Sequence, residues 1–192
     1  MIITAGIGVD LDQIQKIIDW VVEENSNPNL TFLHGNNAYP TPYGDVCLGQ
    51  INKIKERDYS RNISIGISDH SKGILIPPIA VALGATTVEK HYTLSRFLSG
   101  PDHAEHALEP SELFDMVKNI RNVELSMRQK TSMTNSEKKF QTARRSIVVT
   151  KDLPVGHEIS IDDITTKRPA PPGCLEASKY YDVIGKKLKT SV

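Results

Sequence analysis

Residues 63–91 read ISIGISDHSKGILIPPIAVALGATTVEKH, and this stretch decides the fold. It contains two β-branched runs, at residues 63–67 and 86–90, with an apolar segment between them that is long enough for a helix. A strand, a helix and a second strand in this order form a βαβ unit, in which the two strands lie parallel. Each strand leads into a histidine, His70 or His91, so both histidines are expected at the same edge of the sheet.

The same alternation extends through residues 1–128. We predict strands and helices in turn, with strands at residues 2–5, 31–34, 63–67 and 86–90 and helices at residues 11–24, 45–57, 74–83 and 110–128. Strands that alternate with helices at intervals of roughly 25 to 30 residues are typical of parallel α/β architecture. A closed TIM-type barrel needs eight such units. The alternatives are therefore an open α/β sheet or the C-terminal half of a (β/α)8 barrel.

The composition changes after this region. Residues 129–143 are rich in Ser, Thr, Asn and Lys and lack a hydrophobic period, which predicts an exposed linker. Residues 144–192 contain short extended segments and turns, which predict a small β-rich domain. In that domain we expect a strand at 146–149, an extended piece at 158–160 and a helical turn at 162–163.

Charge and composition exclude several classes of protein. The chain has 192 residues, with 23 basic and 23 acidic side chains, so no overall field favours nucleic acid or an anionic membrane. No apolar run approaches the roughly 20 residues that span a bilayer, and the first residues do not resemble a signal peptide. Cys47 and Cys174 lie far apart, which favours neither a disulfide framework nor a thiolate metal site. We interpret the sequence as that of a cytoplasmic protein with no nucleic-acid or membrane partner.

The two strand-end histidines suggest a metal site. Neighbouring strands lie about 4.8 Å apart, so the imidazoles of His70 and His91 could reach one divalent cation. Spacing alone leaves an alternative open, because a histidine at a strand end is more often a surface or hydrogen-bonded group. Asp102 could offer a carboxylate to a metal-bound water, but a turn-forming role for it is equally compatible with the sequence. Arg168, which precedes a proline, could be a solvated charge.

Eight short segments, taken together, resemble those of a known family. They are LHGNNAYPTP at 33–42, GISDHSKGI at 66–74, AVALGA at 80–85, VEKHYTL at 88–94, GPDH at 100–103, LEP at 108–110, RSIV at 145–148 and KRP at 167–169. Their order and spacing are similar to those of the sialic acid synthases. This NeuB-type family also includes legionaminate, pseudaminate and spore-coat polysaccharide synthases.

The resemblance implies a fold and an activity. Residues 1–128 would supply the last four β/α units of a TIM-type barrel, and residues 144–192 an antifreeze-like (SAF, β-clip) domain. The implied reaction condenses phosphoenolpyruvate with an N-acetylated hexose such as N-acetylmannosamine, giving a nine-carbon 2-keto sugar acid and phosphate. The resemblance also implies a divalent metal cofactor, Mn²⁺ with Mg²⁺ as the alternative, and a domain-swapped homodimer of the full-length protein.

The resemblance also implies roles for individual residues in these motifs. His70 and His91 match the metal-ligating histidines of the family, and Asp102 and Tyr39 match residues at the reacting centre. Six positions match residues that contact substrate: Thr4, Asn37, Tyr39, Ser68, Asp102 and Arg168. Arg168 corresponds to the antifreeze-like domain's arginine, which reaches the site of the partner subunit, and Thr4 stands where the family usually has a serine.

The sequence also departs from the family pattern. No segment before Met1 corresponds to the family's earlier strands, which carry a glutamate and two lysines, and we expect the small domain to be incomplete at its C-terminus. One extra residue lies between His103 and Leu108, and Gly35 replaces the usual cysteine. A second hypothesis is therefore a truncated remnant that binds metal or carbohydrate, or assembles, without turnover. For the isolated chain we expect self-association or poor folding, because a half-barrel exposes strand edges and apolar faces.

Overall fold

The computed structural model describes residues 1–6, 8–26, 28–57 and 63–192. The chain divides into two compact units, Met1–Arg128 and Gln129–Val192, and each unit contains a sheet of its own. Across the described ranges, no helix combines the length and the apolar character that crossing a bilayer requires.

The first unit alternates strands and helices. Its elements are β1 (Ile2–Ala5), α1 (Leu11–Glu24), β2 (Leu30–Gly35), α2 (Gly49–Glu56), β3 (Ile63–Asp69), α3 (Ile76–Ala82), β4 (Thr87–Lys90) and α4 (Pro110–Ser126). The four strands form one parallel sheet in the order β1-β2-β3-β4. A doubly wound sheet reverses its strand order at a switch point, whereas a barrel wall keeps its strands in chain order. The sheet therefore has the order of a β/α barrel wall, and the predicted α/β class is confirmed.

Helix α1 shows how the sequence sets these elements. The Asp10 side chain accepts hydrogen bonds from the backbone N–H groups of Asp12 and Gln13, and the Gln13 side chain accepts one from the Asp10 N–H. This capping box satisfies N–H groups that have no partner inside the helix. Ile14 and Ile18 lie one turn apart and are buried in the main hydrophobic core, together with side chains of β2 and β3. A cap and a helical period thus give the helix its predicted bounds, 11–24.

Helix α3 is slightly shorter than its predicted range, 74–83, and helices α2 and α4 differ from the prediction in ways that have a clear physical cause. Helix α2 begins later than the predicted range 45–57, because Cys47 adopts a left-handed backbone conformation with φ of 51°. A left-handed residue cannot continue a right-handed helix, so α2 starts only after it. In α4 the helical period of Leu113, Val117 and Ile120 predicts Val117 on the inner face, but its side chain is 42% exposed, and Met116 is buried in its place. Both residues fit a helical period, and packing against α3 selects between them.

Gly66 occupies the most crowded position of the parallel sheet. In the ladders it lies opposite Leu33 on one side and Thr87 on the other. A Cβ at this position would lie 2.4 Å from Leu33 Cδ2 and 2.5 Å from the Thr87 carbonyl oxygen. Because that oxygen belongs to the backbone of β4, it cannot move aside without disturbing the ladder.

We therefore predict that Gly66→Ala lowers the free energy of unfolding by about 1 to 3 kcal/mol, the usual cost of overpacking. The control is Gly44→Ala, because no heavy atom lies within 4 Å of the added Cβ there. Urea unfolding of both variants measures the difference. Equal stability of the two variants would contradict the steric explanation.

The second unit has less regular structure. It contains α5 (Asn135–Lys138), β5 (Ser146–Val149) and β6 (Ile164–Lys167), and the two strands pair antiparallel. Strand β5 coincides with the predicted strand. The extended piece expected at 158–160 forms a bridge between Glu158 and Lys187, and Ile159 adds backbone hydrogen bonds to Lys186 and Gly185. The partner of β5 is β6, which we did not predict. Residues 129–143, expected as a linker, hold the short helix α5 and a 3₁₀ turn, Gln141–Ala143.

A buried carboxylate fixes the turn before β6. The Asp163 side chain is 3% exposed and pairs with His157 Nε2 at 2.8 Å and Lys151 Nζ at 3.0 Å. It also accepts hydrogen bonds from the backbone N–H and the hydroxyl of Ser160, at 2.9 and 2.7 Å. The hydrogen bond from His157, followed by those from Ser160 and Lys151, holds the pKa of Asp163 well below its usual range. The carboxylate is therefore ionised, and four donors converge on it.

Candidate metal centre

The carboxyl ends of β3 and β4 bring two histidines together. Asp69 lies opposite Lys90 in the ladder, so the next position in the same register pairs His70 with His91. The two imidazole rings meet edge to face, with centroids 5.2 Å apart. The expected proximity of the two rings is therefore present, while their role as metal ligands stays a prediction.

The His70 ring is held by the backbone of the loop after β2. Its Nδ1 lies 2.6 Å from the Asn36 carbonyl oxygen, and the side chain is buried. An Nδ1–H that donates to a carbonyl leaves the lone pair on Nε2, which is how metal-binding histidines are usually oriented. Ser68 Oγ lies 3.4 Å from that Nε2, but it donates its proton to Glu89 Oε1 at 2.6 Å. The Nε2 lone pair of His70 therefore remains available.

Tyr39 packs against the histidines from the β2 side. Its ring centroid lies 4.3 Å from that of His70, 5.6 Å from that of His91 and 5.3 Å from that of His106. Its side chain is half exposed. The predicted residue Tyr39 is thus part of the same cluster and covers one side of it.

Two residues of the loop after β4 complete the cluster. Asp102 Oδ1 lies 3.8 Å from His91 Nδ1, and its side chain is 79% exposed. The His106 ring lies 4.6 Å from the His91 ring and is almost fully buried. One ligand atom from each of His91, Asp102 and His106 lies within 4.8 Å of the others, so these three side chains could hold a metal ion.

Burial lowers the pKa values of two imidazoles in the cluster, and the neighbouring rings add to the shift. Burial, followed by the nearby His70, lowers the pKa of His91 below the ordinary 6.5, and Asp102 opposes the shift. Burial, followed by His91 and His70, lowers the pKa of His106 in the same way. Both rings are therefore neutral near pH 7, and a neutral imidazole is the form that binds a cation.

A second feature of this rim is a glycine-lined cavity. It has a volume of about 370 Å³, and its lining residues are Gly6, Gly8, Gly35, Asn36, Asn37 and Ala38. The predicted residue Asn37 is exposed on its wall. Thr4 is exposed. It lies close to the same cavity, because its methyl group would be 3.4 Å from a Cβ added to the lining residue Gly35. The structure therefore places Thr4 and Asn37 beside one cavity, at the ends of β1 and β2.

Arg168 lies in the second unit, directly after β6, and its side chain is exposed. Its expected role in a partner subunit's site stays a prediction. His103, next to Asp102 in sequence, has a different environment, because its Nδ1 lies 2.7 Å from the Thr93 hydroxyl.

Sequence reasoning missed His106 and the carbonyl of Asn36. His106 stands in a loop with no period to place it, and the available signal was the extra residue between His103 and Leu108. A backbone carbonyl such as that of Asn36 leaves no trace in the sequence, because every residue carries one.

The comparison with known proteins follows the division of the chain into two units. The model of the NeuB family matches residues 1–132. The chain belongs to the NeuB family. The SAF domain model matches residues 144–192 of this NeuB-family chain. The predicted order, the C-terminal half of a TIM-type barrel followed by a SAF domain, is thereby confirmed.

Several relatives resemble this NeuB-family chain over nearly its whole length. It is 40% identical over 98% of its length to an uncharacterized protein of Methanocaldococcus jannaschii, and 34% identical over 97% to N,N'-diacetyllegionaminic acid synthase of Campylobacter jejuni. It is also similar to the crystal structure of N-acetylneuraminic acid synthetase from Leptospira borgpetersenii in complex with citrate, with a TM-score of 0.61 and 33% identity over 72% of this chain and 47% of that one. The chain covers 54% of each of the first two relatives, about half their length.

Proposed function

We propose that this chain belongs to a synthase that condenses phosphoenolpyruvate with an N-acetylated hexose, such as N-acetylmannosamine, to give a nine-carbon 2-keto sugar acid and phosphate. The observation that supports this proposal is the convergence of His70, His91 and Asp102 at the carboxyl edge of the parallel sheet. Active sites of β/α barrels lie at this edge. The names of the relatives, a legionaminic acid synthase and a sialic acid synthetase, indicate the same kind of product.

The side chains at the rim fit a divalent cation, for which Mn²⁺ is the first choice and Mg²⁺ the alternative. Neutral imidazoles and a carboxylate are suitable donors, and the buried ring nitrogens of His106 lack any other partner among the described residues. His70 and His91 would hold the ion. When bound, such an ion polarises the carbonyl group of the sugar as a Lewis acid.

The residues around the histidines would position the two substrates. Ser68 lies between His70 and Glu89, where its hydroxyl could contact phosphoenolpyruvate. The glycine-lined cavity at the ends of β1 and β2 would let an anionic group approach backbone N–H groups closely, with Asn37 and Thr4 at its wall. Holding two reactants in a productive orientation can lower the barrier by about 7 to 11 kcal/mol.

The acceptor sugar would approach from the exposed side of the cluster. Asp102 is largely exposed next to His91, so its carboxylate could accept hydrogen bonds from sugar hydroxyls. Tyr39 packs against the rings of His70 and His91 and would limit the access of water there. Arg168 of a second subunit would add a cation to the site in a domain-swapped homodimer.

An alternative proposal is a catalytically inactive remnant that binds metal or carbohydrate, or serves assembly. It rests on the departures from the family pattern at Thr4 and Gly35, two residues beside the glycine-lined cavity. The two proposals differ in turnover and agree on metal binding.

Release of phosphate from phosphoenolpyruvate separates them. We expect a full-length protein that contains this chain, supplied with Mn²⁺, phosphoenolpyruvate and N-acetylmannosamine, to release phosphate only when both substrates are present. A full-length relative with its own acceptor sugar is the positive control, and omission of the hexose is the negative one. Metal binding by that full-length protein without any phosphate release would contradict the synthase proposal and support the remnant.

A further inference from the structure

The imidazole of His106 is buried without a hydrogen-bond partner. Its side chain is 2% exposed, and in the described part of the chain neither Nδ1 nor Nε2 has a donor or an acceptor within reach. Leaving a buried polar group unpaired costs about 1 to 3 kcal/mol. Such groups are rare in native proteins, and each one calls for a physical explanation.

Backbone hydrogen bonds hold the segment next to His106 against the end of β4. The N–H of Leu108 donates to the His91 carbonyl at 2.9 Å, and the N–H of Ala107 donates to the Ala104 carbonyl at 3.0 Å. Ala107 and Leu108 are themselves fully buried. The backbone that carries the ring is therefore held beside the end of β4, and a metal ion bound inside the cluster would pair one of its nitrogens.

The neighbours of His106 are those of a metal ligand. Its ring lies 4.6 Å from the His91 ring, and the ligand atoms of His106, His91 and Asp102 lie within 4.8 Å of one another. Two nitrogens bound to one Zn²⁺-sized ion at about 2.1 Å can lie at most about 4.2 Å apart. Small side-chain rotations would therefore bring all three groups onto a single ion.

We propose that His106 is a third imidazole ligand of the cation at this rim, and that it sets the metal preference of the site. The proposal rests on the proposed function insofar as that function places a cation next to His91. A set of donors with an additional imidazole favours Co²⁺ and Zn²⁺ over Mn²⁺ and Mg²⁺, which prefer oxygen ligands. His106 thus raises the affinity for the nitrogen-preferring ions more than the affinity for Mn²⁺.

The test compares two histidines of the same loop in the 192-residue chain. Co²⁺ binding is followed by the visible absorption of the ion, and Mn²⁺ binding by electron paramagnetic resonance. For His106→Ala we expect the Co²⁺ affinity to fall by more than about 100-fold, because removal of an outer-sphere partner alone costs roughly 10- to 100-fold. The Mn²⁺ affinity should fall by less. The matched control is His103→Ala, because His103 pairs with the Thr93 hydroxyl and should leave both affinities unchanged.

A second variant guards against a simple folding defect. His106→Leu removes both unpaired nitrogens, so without metal its melting temperature should equal or exceed that of the wild type. The rise in melting temperature that Co²⁺ causes in the wild type should disappear in this variant. A metal-free His106→Leu chain that melts below the wild type, but keeps the Co²⁺-induced rise, would show that His106 is structural and would overturn the proposal.

The inference can fail separately from the proposed function. If His91→Ala loses Co²⁺ while both His106 variants bind it like the wild type, His106 is not a ligand, and the metal site of the proposed function survives. If the folded wild-type chain binds neither Co²⁺ nor Mn²⁺, both the inference and the metal site of the proposed function are wrong.

Discussion

Replacing either His70 or His91 by alanine should abolish Mn²⁺ binding and, with it, phosphate release from phosphoenolpyruvate. The two rings lie 5.2 Å apart, and the Asn36 carbonyl holds the Nδ1 of His70, so the His70 ring is already oriented towards the cluster. Loss of an oriented ligand should weaken Mn²⁺ binding by more than about 100-fold, the upper range for loss of an outer-sphere partner. Calorimetric titration with Mn²⁺ and the phosphate assay provide the two readouts.

The control for this experiment is His103→Ala, because His103 lies in the same rim and is paired with the Thr93 hydroxyl. It should bind Mn²⁺ like the wild type. Unchanged Mn²⁺ affinity in both His70→Ala and His91→Ala would show that these histidines are not the ligands. Retained affinity together with lost turnover would show that their role lies with the substrates.

Breaking the ion pair between Lys90 and Asp69 should give the largest loss of stability in the chain. The Lys90 ammonium lies 2.8 Å from Asp69 Oδ2 and also donates to the Ser71 carbonyl, and both charged side chains are almost fully buried. Burial lowers the pKa of Lys90, and the hydrogen bond and charge of Asp69 oppose that shift. Removing one partner leaves an uncompensated buried charge, so Lys90→Met should lower the free energy of unfolding by about 3 to 5 kcal/mol.

The exposed ion pair between Arg121 and Glu124 is the matched comparison. Arg121→Met should cost about 0 to 1 kcal/mol, since water screens such a pair. Chemical unfolding of both variants measures the difference. If Lys90→Met is as stable as Arg121→Met, the buried pair does not carry the stability that we assign to it.

The same ion pair links stability to the site. Asp69 precedes His70 and Lys90 precedes His91, so the pair joins the ends of β3 and β4 just where the two histidines begin. We therefore interpret the pair as an interaction that fixes the register of β3 and β4 and, with it, the relative positions of the two imidazoles. The Lys90 ammonium is already bound by the Asp69 carboxylate and the Ser71 carbonyl, so we expect no catalytic role for it.

The strands and helices of the half-barrel could be predicted from the sequence because the patterns that specify them are local. The β-branched runs and the helical period of α1 specify elements that pack as expected, and parallel strands necessarily place His70 and His91 at one edge. The prediction that Val117 lies on the inner face of α4 was wrong because Met116 fits the same helical period. Only the packing of α4 on α3 decides between the two residues. Strand β6 was not predicted because a short strand without alternating polar and apolar residues is recognisable only next to its partner, β5.

The candidate site was less predictable than the fold. Motif resemblance gave roles to Tyr39, Ser68 and Asp102, and the structure places all three next to the two histidines or in contact with them. His106 was not predicted as a site residue because a loop position gives no information on burial. Its importance comes from its ring nitrogens, which have no hydrogen-bond partner among the described residues. Hydrogen-bond partners are a property of the folded chain, so no reading of the sequence could have shown that both nitrogens are unpaired.

The most direct test of the account is an anomalous diffraction map of crystals of this chain grown with Mn²⁺. We predict a single strong peak between His70 and His91, within about 2.0 to 2.3 Å of an imidazole nitrogen of each. A map with no peak between these two rings at saturating Mn²⁺, or with its peak away from them, would contradict the account.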